Sequence, residues 1–312
     1  MRIFDLHADI GIDVYLKTQK GQVDVLKTKH LDKLKKGNIK TVAAACFFSG
    51  EQDWQTMQES VLTLKNEIEQ NKEAITWILN PDDIDKDDKL NFMISVEGMC
   101  GIDQDVSKRI DWLYDNGVRL GSLCWNESNA LAEGWPNNPL KGLSSLGKEA
   151  IKRMNKRRMV IDVSHTNEKT FWDIITISSS AVIATHSNTR SLCDHQRNLT
   201  DQQIKAIALK DGLIGLNAAK SFIDKDPLKQ NAYQLALHGK YIADLVGYQH
   251  LALGFDFMDF FDEKYDSAMA VDLPNAKVAQ NMIKALKEVG FEDDEVAAIA
   301  YENAKNFFCK NL

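Results

Sequence analysis

The chain has 312 residues, 44 % of them hydrophobic, with a formal net charge of −7 and a pI near 5.6. That length supports one large domain with a sizeable core. The acidic balance excludes a general nucleic-acid binder, which would carry a basic face.

The first predicted strand covers residues 2–8 and runs into the stretch FDLHADI, residues 4–10. Strand alternation puts Phe4, Leu6, Ala8 and Ile10 on one face and Asp5, His7 and Asp9 on the other. Three ionisable groups side by side on an inner face are costly unless something compensates them, and a bound cation is the simplest compensation. Further short apolar runs predict strands over 40–48, 91–97, 118–125, 159–165, 181–187, 212–218 and 250–256. Helical patterns lie between them, at 55–71, 104–116, 145–157, 167–176, 201–210 and 230–246. Thr200 and Gln203 have capping-box spacing at the start of one of these. Two final helices are expected over 275–289 and 293–308. The basic cluster Lys152, Arg153, Lys156, Arg157 and Arg158 falls at a predicted helix end, where cations suit the dipole.

Eight strands, each followed by a helical crossover, predict a (β/α)8 TIM barrel with two extra C-terminal helices, built as a single domain over 1–312. The alternative is an open doubly wound sheet. Its glycine-rich phosphate turn is missing after the first strand, since HADIGID holds one glycine. A loop rich in Asn, Gly and Pro, 126–142, absorbs part of the excess length. No secretory h-region opens the chain and no apolar run reaches transmembrane length. The five cysteines at 46, 100, 124, 193 and 309 are odd in number and make no C-x-x-C pair. They read as reduced thiols of a cytoplasmic protein with no membrane partner.

The strand ends carry the chemistry. His7 and Asp9 end the first strand, Glu97 the third, His165 the fifth, His186 the sixth and Asp256 the eighth. In a (β/α)8 barrel those ends converge on one face, where active sites occur. Turn-forming residues alone would favour Asn, Ser, Asp and Gly. Three histidines and three carboxylates resemble instead a mixed nitrogen and oxygen shell for zinc or a similar divalent ion. Five or six ligands exceed the three of a single catalytic zinc site, so two ions fit better. Glu97 is the natural bridge between a His/Asp pair and a His/His pair. Water shared by two cations would be hydroxide near neutral pH and could attack a carbonyl carbon. His30, His195, His238 and His250 lie elsewhere and are assigned no metal. Ligand type alone does not separate zinc from manganese or cobalt.

The segments FDLHAD, SVEG, GLSSLGKEAIKRMNKRRMVIDVSH, VIATHSNTRSLCDHQRNLTDQQIKAIA and LALGFDF resemble the membrane or renal dipeptidase family, metallopeptidases among the amidohydrolase-type barrels. The resemblance runs from residue 4 to about 257. It implies a (β/α)8 barrel with two zinc ions. His7 and Asp9 would bind one zinc, His165 and His186 the other, and Glu97 both. Arg197 would hold the substrate carboxylate, which a guanidinium fork meets bidentately. Asp256 would handle the proton of the bridging water. Relatives often form dimers, so a homodimer is open. Two departures stand out. Where the mammalian enzymes carry a histidine that polarises the substrate carbonyl, LCWN places Trp125, whose indole only donates. Trp125 and Asn126 would then shape the substrate pocket. Met258 stands where the family often has a further aspartate, and Asp259 is one position on.

The expected function is a dizinc dipeptidase that tolerates a C-terminal D-residue and takes small-molecule peptides. A related metal-dependent amidohydrolase for N-acyl amino acids or lactams is the alternative from the same chemistry. A non-catalytic peptide-binding barrel is the alternative from another class.

Overall fold

A computed structural model describes residues 1–261 and 268–312. Its strands are β1 (Ile3–Ala8), β2 (Ile39–Phe47), β3 (Ile75–Trp77), β4 (Leu90–Glu97), β5 (Val118–Ser122), β6 (Val160–Asp162), β7 (Val182–Ile183), β8 (Ile214–Leu216) and β9 (Leu251–Leu253). They pair in parallel in the order β7-β6-β5-β4-β2-β1-β9-β8. A parallel bridge between Ala184 and Ile214 joins the two ends of that order. The result is the expected (β/α)8 barrel, nearly closed.

All eight predicted strands are present, and β3 is an addition. It pairs with β4 at Leu90–Phe92, below the point where β5 begins to pair at Ile94. A run of three residues between polar stretches is too short to show strand periodicity. The capping box holds: Thr200 Oγ1 accepts from the Gln203 N–H at 3.3 Å, and Gln203 Oε1 accepts from the Thr200 N–H at 2.9 Å. Within the basic cluster, Arg153 is paired to Asp111 and Arg157 to Asp111 and Asp115, and Arg158 donates to the Lys310 carbonyl at 2.9 Å. No helix among the described residues is long and apolar enough to cross a membrane.

The barrel interior is a packed core. Phe4 and Leu6 of β1, Ala43 of β2, Met93 of β4, Leu120 of β5, Val160 of β6, Ile183 of β7 and Ala252 of β9 form one buried cluster. The C-terminal helical segment closes it with Tyr301 and Phe308. The Phe308 ring stacks on Phe4 with centroids 5.3 Å apart. Tyr301 donates its hydroxyl to Asp85 at 2.5 Å. Of the two expected C-terminal helices, the last is therefore the floor of the barrel, while residues of the first, 275–289, belong to the outer cluster; the polar strand ends are left at the other end.

Two local features set the upper rim. Between Asp5 and Ala8, β1 takes three steps where β2 takes two, from Val42 to Ala44. This bulge breaks the alternation expected from FDLHADI. Asp5 falls with Ala8, His30 and Leu34 around a small cavity on the helix side, while His7 and Asp9 go to the mouth. Asp5 Oδ1 accepts from the N–H groups of Phe255, at 3.0 Å, and His7, at 3.3 Å, tying β1 to the chain leaving β9. Burial pushes the Asp5 carboxyl up to about 7, against those two bonds. The other feature is close approach. A Cβ at Gly215 or Gly254 would lie 2.0 or 1.7 Å from the Thr185 carbonyl oxygen, so only glycine lets β8 and β9 press against the end of β7.

Phe308→Ala should remove the stacked floor of the interior and cost about 3–5 kcal/mol, as for other buried Phe to Ala changes. Urea unfolding followed by circular dichroism measures it. A loss under about 1 kcal/mol would contradict this packing.

Candidate metal centre and active site

His7, Asp9, Glu97, His165, His186 and Asp256 meet at the C-terminal ends of the strands, and every one of them is buried. His7 Nε2 lies 3.5 Å from Asp9 Oδ1, 3.5 Å from Glu97 Oε2 and 3.8 Å from Asp256 Oδ1. The other oxygen of Glu97, Oε1, lies 2.9 Å from His165 Nε2 and 3.4 Å from His186 Nε2. Glu97 thus divides its two oxygens between a His7 side and a His165/His186 side. His7, Glu97 and His186 form one cluster with metal-ligand spacing, and His7, Asp9 and Asp256 another.

The backbone is forced in order to aim these groups. His165 has φ +69° and Asp256 φ +61°, a region that costs non-glycine residues about 1–3 kcal/mol. The long 126–142 loop holds the first of them. Trp135 N–H donates to the His165 carbonyl at 2.8 Å, and Gly134 bridges Thr166. Asn167 then caps the next helix, Glu168–Ile177, accepting from Thr170 N–H at 2.8 Å.

The donor set fits divalent metal. Among the described residues, the buried His7 Nε2 and Asp9 Oδ1 have no hydrogen-bond partner, an expensive state without a ligand. His165 Nδ1 lies 2.8 Å from Asn126 Oδ1, which can only accept. His165 therefore carries its proton on Nδ1 and turns a bare Nε2 toward His186 Nε2, 2.8 Å away. Burial, reinforced by Arg197 and opposed by Glu97, pushes the His165 imidazole down to about 4. Burial and His7 hold His186 well below its ordinary value. Both rings are neutral at pH 7, the form that ligates metal. Burial raises Glu97, but His7 and His165 outweigh it and hold the carboxyl well below its usual range. Burial, opposed by His7 and reinforced by Asp9 and Glu97, pushes Asp256 up to about 7. A carboxyl poised there exchanges protons readily at neutral pH.

Arg197 is buried beneath the same mouth, its guanidinium 5.5 Å from the Phe222 ring centroid. Burial lowers its pKa while Glu97, Asp256 and Asp162 act against that. Nε and Nη2 have no hydrogen-bond partner among the described residues. Trp125 is half-buried, edge-on to Phe47 at 5.0 Å and 5.9 Å from the His165 ring. Asn126 spends its side-chain oxygen on His165 rather than on the open mouth. Asp259 does not reach the cluster, being paired to Lys33. Two residues were not singled out from the sequence. Asn217 Nδ2 donates to Asp256 Oδ2 at 3.1 Å. Thr185 Oγ1 lies 2.7 Å from His186 Nδ1. The only sequence signal for either was a polar residue beside a strand end.

The sequence model of the membrane dipeptidase family, peptidase family M19, matches residues 1–308. The chain belongs to that family. Its class is metallo-dipeptidase, and metal dependence agrees with the donor set above. A Klebsiella pneumoniae protein of the pqqA 5′ region is 35 % identical over 211 residues, covering 64 % of this chain and 78 % of its own. The dipeptidase aclJ of Aspergillus oryzae is 26 % identical over 220 residues, 64 % of this chain and 52 % of its own. The chain thus spans about half the length of that fungal relative. Among solved structures, a metallopeptidase from Rhodobacter sphaeroides, liganded with a phosphinate mimic of the dipeptide L-Ala-D-Ala, superposes with a TM-score of 0.87. It is 20 % identical and covers 100 % of this chain and 99 % of its own, a likeness of fold.

His186→Ala and His165→Ala should each lower the divalent metal retained after dialysis, measured by elemental analysis, with the far-ultraviolet circular dichroism unchanged. Retention equal to the parent protein would remove that residue from the metal shell.

Proposed function

We propose that this protein is a dinuclear zinc dipeptidase. The observation that carries the reading is Arg197, a buried guanidinium with N–H groups unpartnered among the described residues, beside a cluster of metal donors. A buried cation of that kind calls for an anion. A dipeptide brings one in its free carboxylate, and the planar fork meets a carboxylate bidentately.

His7 and Asp9 would hold one ion, His165 and His186 the other, and Glu97 would serve both through its two oxygens. Bound divalent ions supply Lewis acidity toward a carbonyl and acidify water to a pKa of about 7. Asp256 is the proton carrier. Its Oδ1 faces His7, and its Oδ2 is held by Asn217. It takes a proton from water and delivers it to the leaving amine. Trp125 forms one wall of the substrate space, and Asn126 keeps His165 in the ligating tautomer. Holding the substrate by its C-terminal carboxylate leaves the stereochemistry of that residue lightly constrained. Tolerance of a C-terminal D-residue is therefore part of the proposal, supported by the ligand of the Rhodobacter relative. All five cysteines are free, which supports action in a reducing compartment such as the cytoplasm.

The test is a substrate panel offered to the zinc-loaded protein: L,L- and L,D-dipeptides, N-acyl amino acids and lactams. Dipeptides should be cleaved fastest, and cleavage of N-acyl amino acids alone would move the assignment to the related amidohydrolase. Failure to cleave any member would count against the whole reading. Arg197→Lys should raise KM about tenfold or more, because a point charge replaces a fork, while kcat changes less. An unchanged KM would place the carboxylate elsewhere.

A further inference from the structure

His186 is the most buried of the three site histidines, and its ring is tied to β6 by a chain of hydrogen bonds that starts on a carboxylate. Asp162, the last residue of β6, accepts at Oδ1 from the backbone N–H groups of Ser164, at 2.8 Å, and Thr185, at 3.0 Å. Its other oxygen, Oδ2, lies 2.6 Å from Thr185 Oγ1. Thr185 Oγ1 in turn lies 2.7 Å from His186 Nδ1. All three residues are buried.

The protons in this chain follow from counting donors. A threonine hydroxyl has one hydrogen and can accept at its lone pairs, while a carboxylate only accepts. The Thr185 hydrogen therefore points to Asp162, and the Thr185 lone pair is left for His186. His186 must donate from Nδ1, so its Nε2 is bare and faces Glu97 Oε1 at 3.4 Å. Reversing any one proton would put a hydrogen on Nε2, where a ligand lone pair is needed. Ser164 Oγ adds a brace, accepting from the His186 backbone N–H at 3.3 Å and lying 3.3 Å from Thr185 Oγ1.

We infer that Asp162 and Thr185 are positioning residues that fix the tautomer and ring direction of His186 as a metal ligand. The inference rests on the reading of His186 as a ligand. It adds that a carboxylate–hydroxyl–imidazole chain, rather than direct carboxylate contact, supplies the outer support common to ligating histidines. The same two residues lock β6 to β7, so the chain also couples the position of His186 to that of the strand leading to His165.

The test is metal affinity of the full-length protein, by zinc titration against a chromophoric chelator, with melting temperature recorded alongside. Thr185→Ser keeps the hydroxyl and should bind zinc within about threefold of the parent. Thr185→Val keeps the shape and loses the hydroxyl, and should weaken one zinc equivalent about 10- to 100-fold. Asp162→Asn is nearly isosteric but offers a donor to Thr185 Oγ1. It turns the hydroxyl hydrogen onto His186 Nδ1 and should weaken zinc at least as much. Thr185→Val binding as tightly as the parent, or Thr185→Ser losing as much as Thr185→Val, would overturn the inference. An independent measurement needs no variant. In zinc-loaded parent protein with 15N-labelled histidine, His186 should carry its proton on Nδ1, and a proton on Nε2 would also overturn it. If the parent protein itself bound no zinc, the dinuclear reading would fail instead, so the two failures are distinct.

Discussion

Two imidazole nitrogens face each other at 2.8 Å across the mouth of this barrel, and the acceptors behind them, Asn126 Oδ1 and Thr185 Oγ1, draw each ring's proton to Nδ1 and leave none to share between them. Lone pairs held that close in a buried place repel. A positive charge among them would remove that repulsion, and the unusual features of the upper rim converge on that place. The left-handed backbone at His165 and Asp256, the loop clamped over the sixth strand, and the glycines that yield to the Thr185 carbonyl all bring polar groups closer than a relaxed chain would. The strain is local, and the apolar interior below offsets it.

Opposite faces of the barrel divide the work. The lower interior is filled by side chains from seven strands and sealed by aromatic rings of the last helical segment, so nothing there can move without opening a void. The upper rim therefore stands on a rigid base. Rigidity matters because a metal donor displaced by a fraction of an ångström loses much of its value. Asn217 and Asn126 act on the same principle. Each uses an amide to fix one side chain of the cluster, Asn126 that of His165 and Asn217 that of Asp256.

Much of this was readable in the amino-acid order. Apolar runs marked the eight strands because a strand buried on both faces is apolar throughout, and His7, Glu97, His165, His186 and Asp256 stood at their ends. The bulge in β1 was not readable. Alternation assigns Asp5 to the His7 face, and only pairing with β2 shows the extra residue that sends Asp5 to the other side. The strand at Ile75–Trp77 escaped because three residues show no period. Asn126 reads as a pocket residue because it follows Trp125, which stands at the position of the family histidine. Its bond to His165, 39 positions along the chain, has no local signature. Thr185 and Asp162 were hidden for the same reason: their hydrogen bonds connect adjacent strands that are separated by a helix in sequence.

The stacking of Phe308 on Phe4 has a bearing on how the molecule is made. β1 must wait, with one edge bare, for β9 some 250 positions later, and its inward ring finds a lid only when Phe308 of the final helix has been added. Closure of the barrel is thus dominated by contacts between distant parts of the chain, which slows folding and leaves an unpaired β1 edge open to stray partners in the meantime. Rearranging the order of segments, so that this strand and this helix are made together, would shorten that exposed interval.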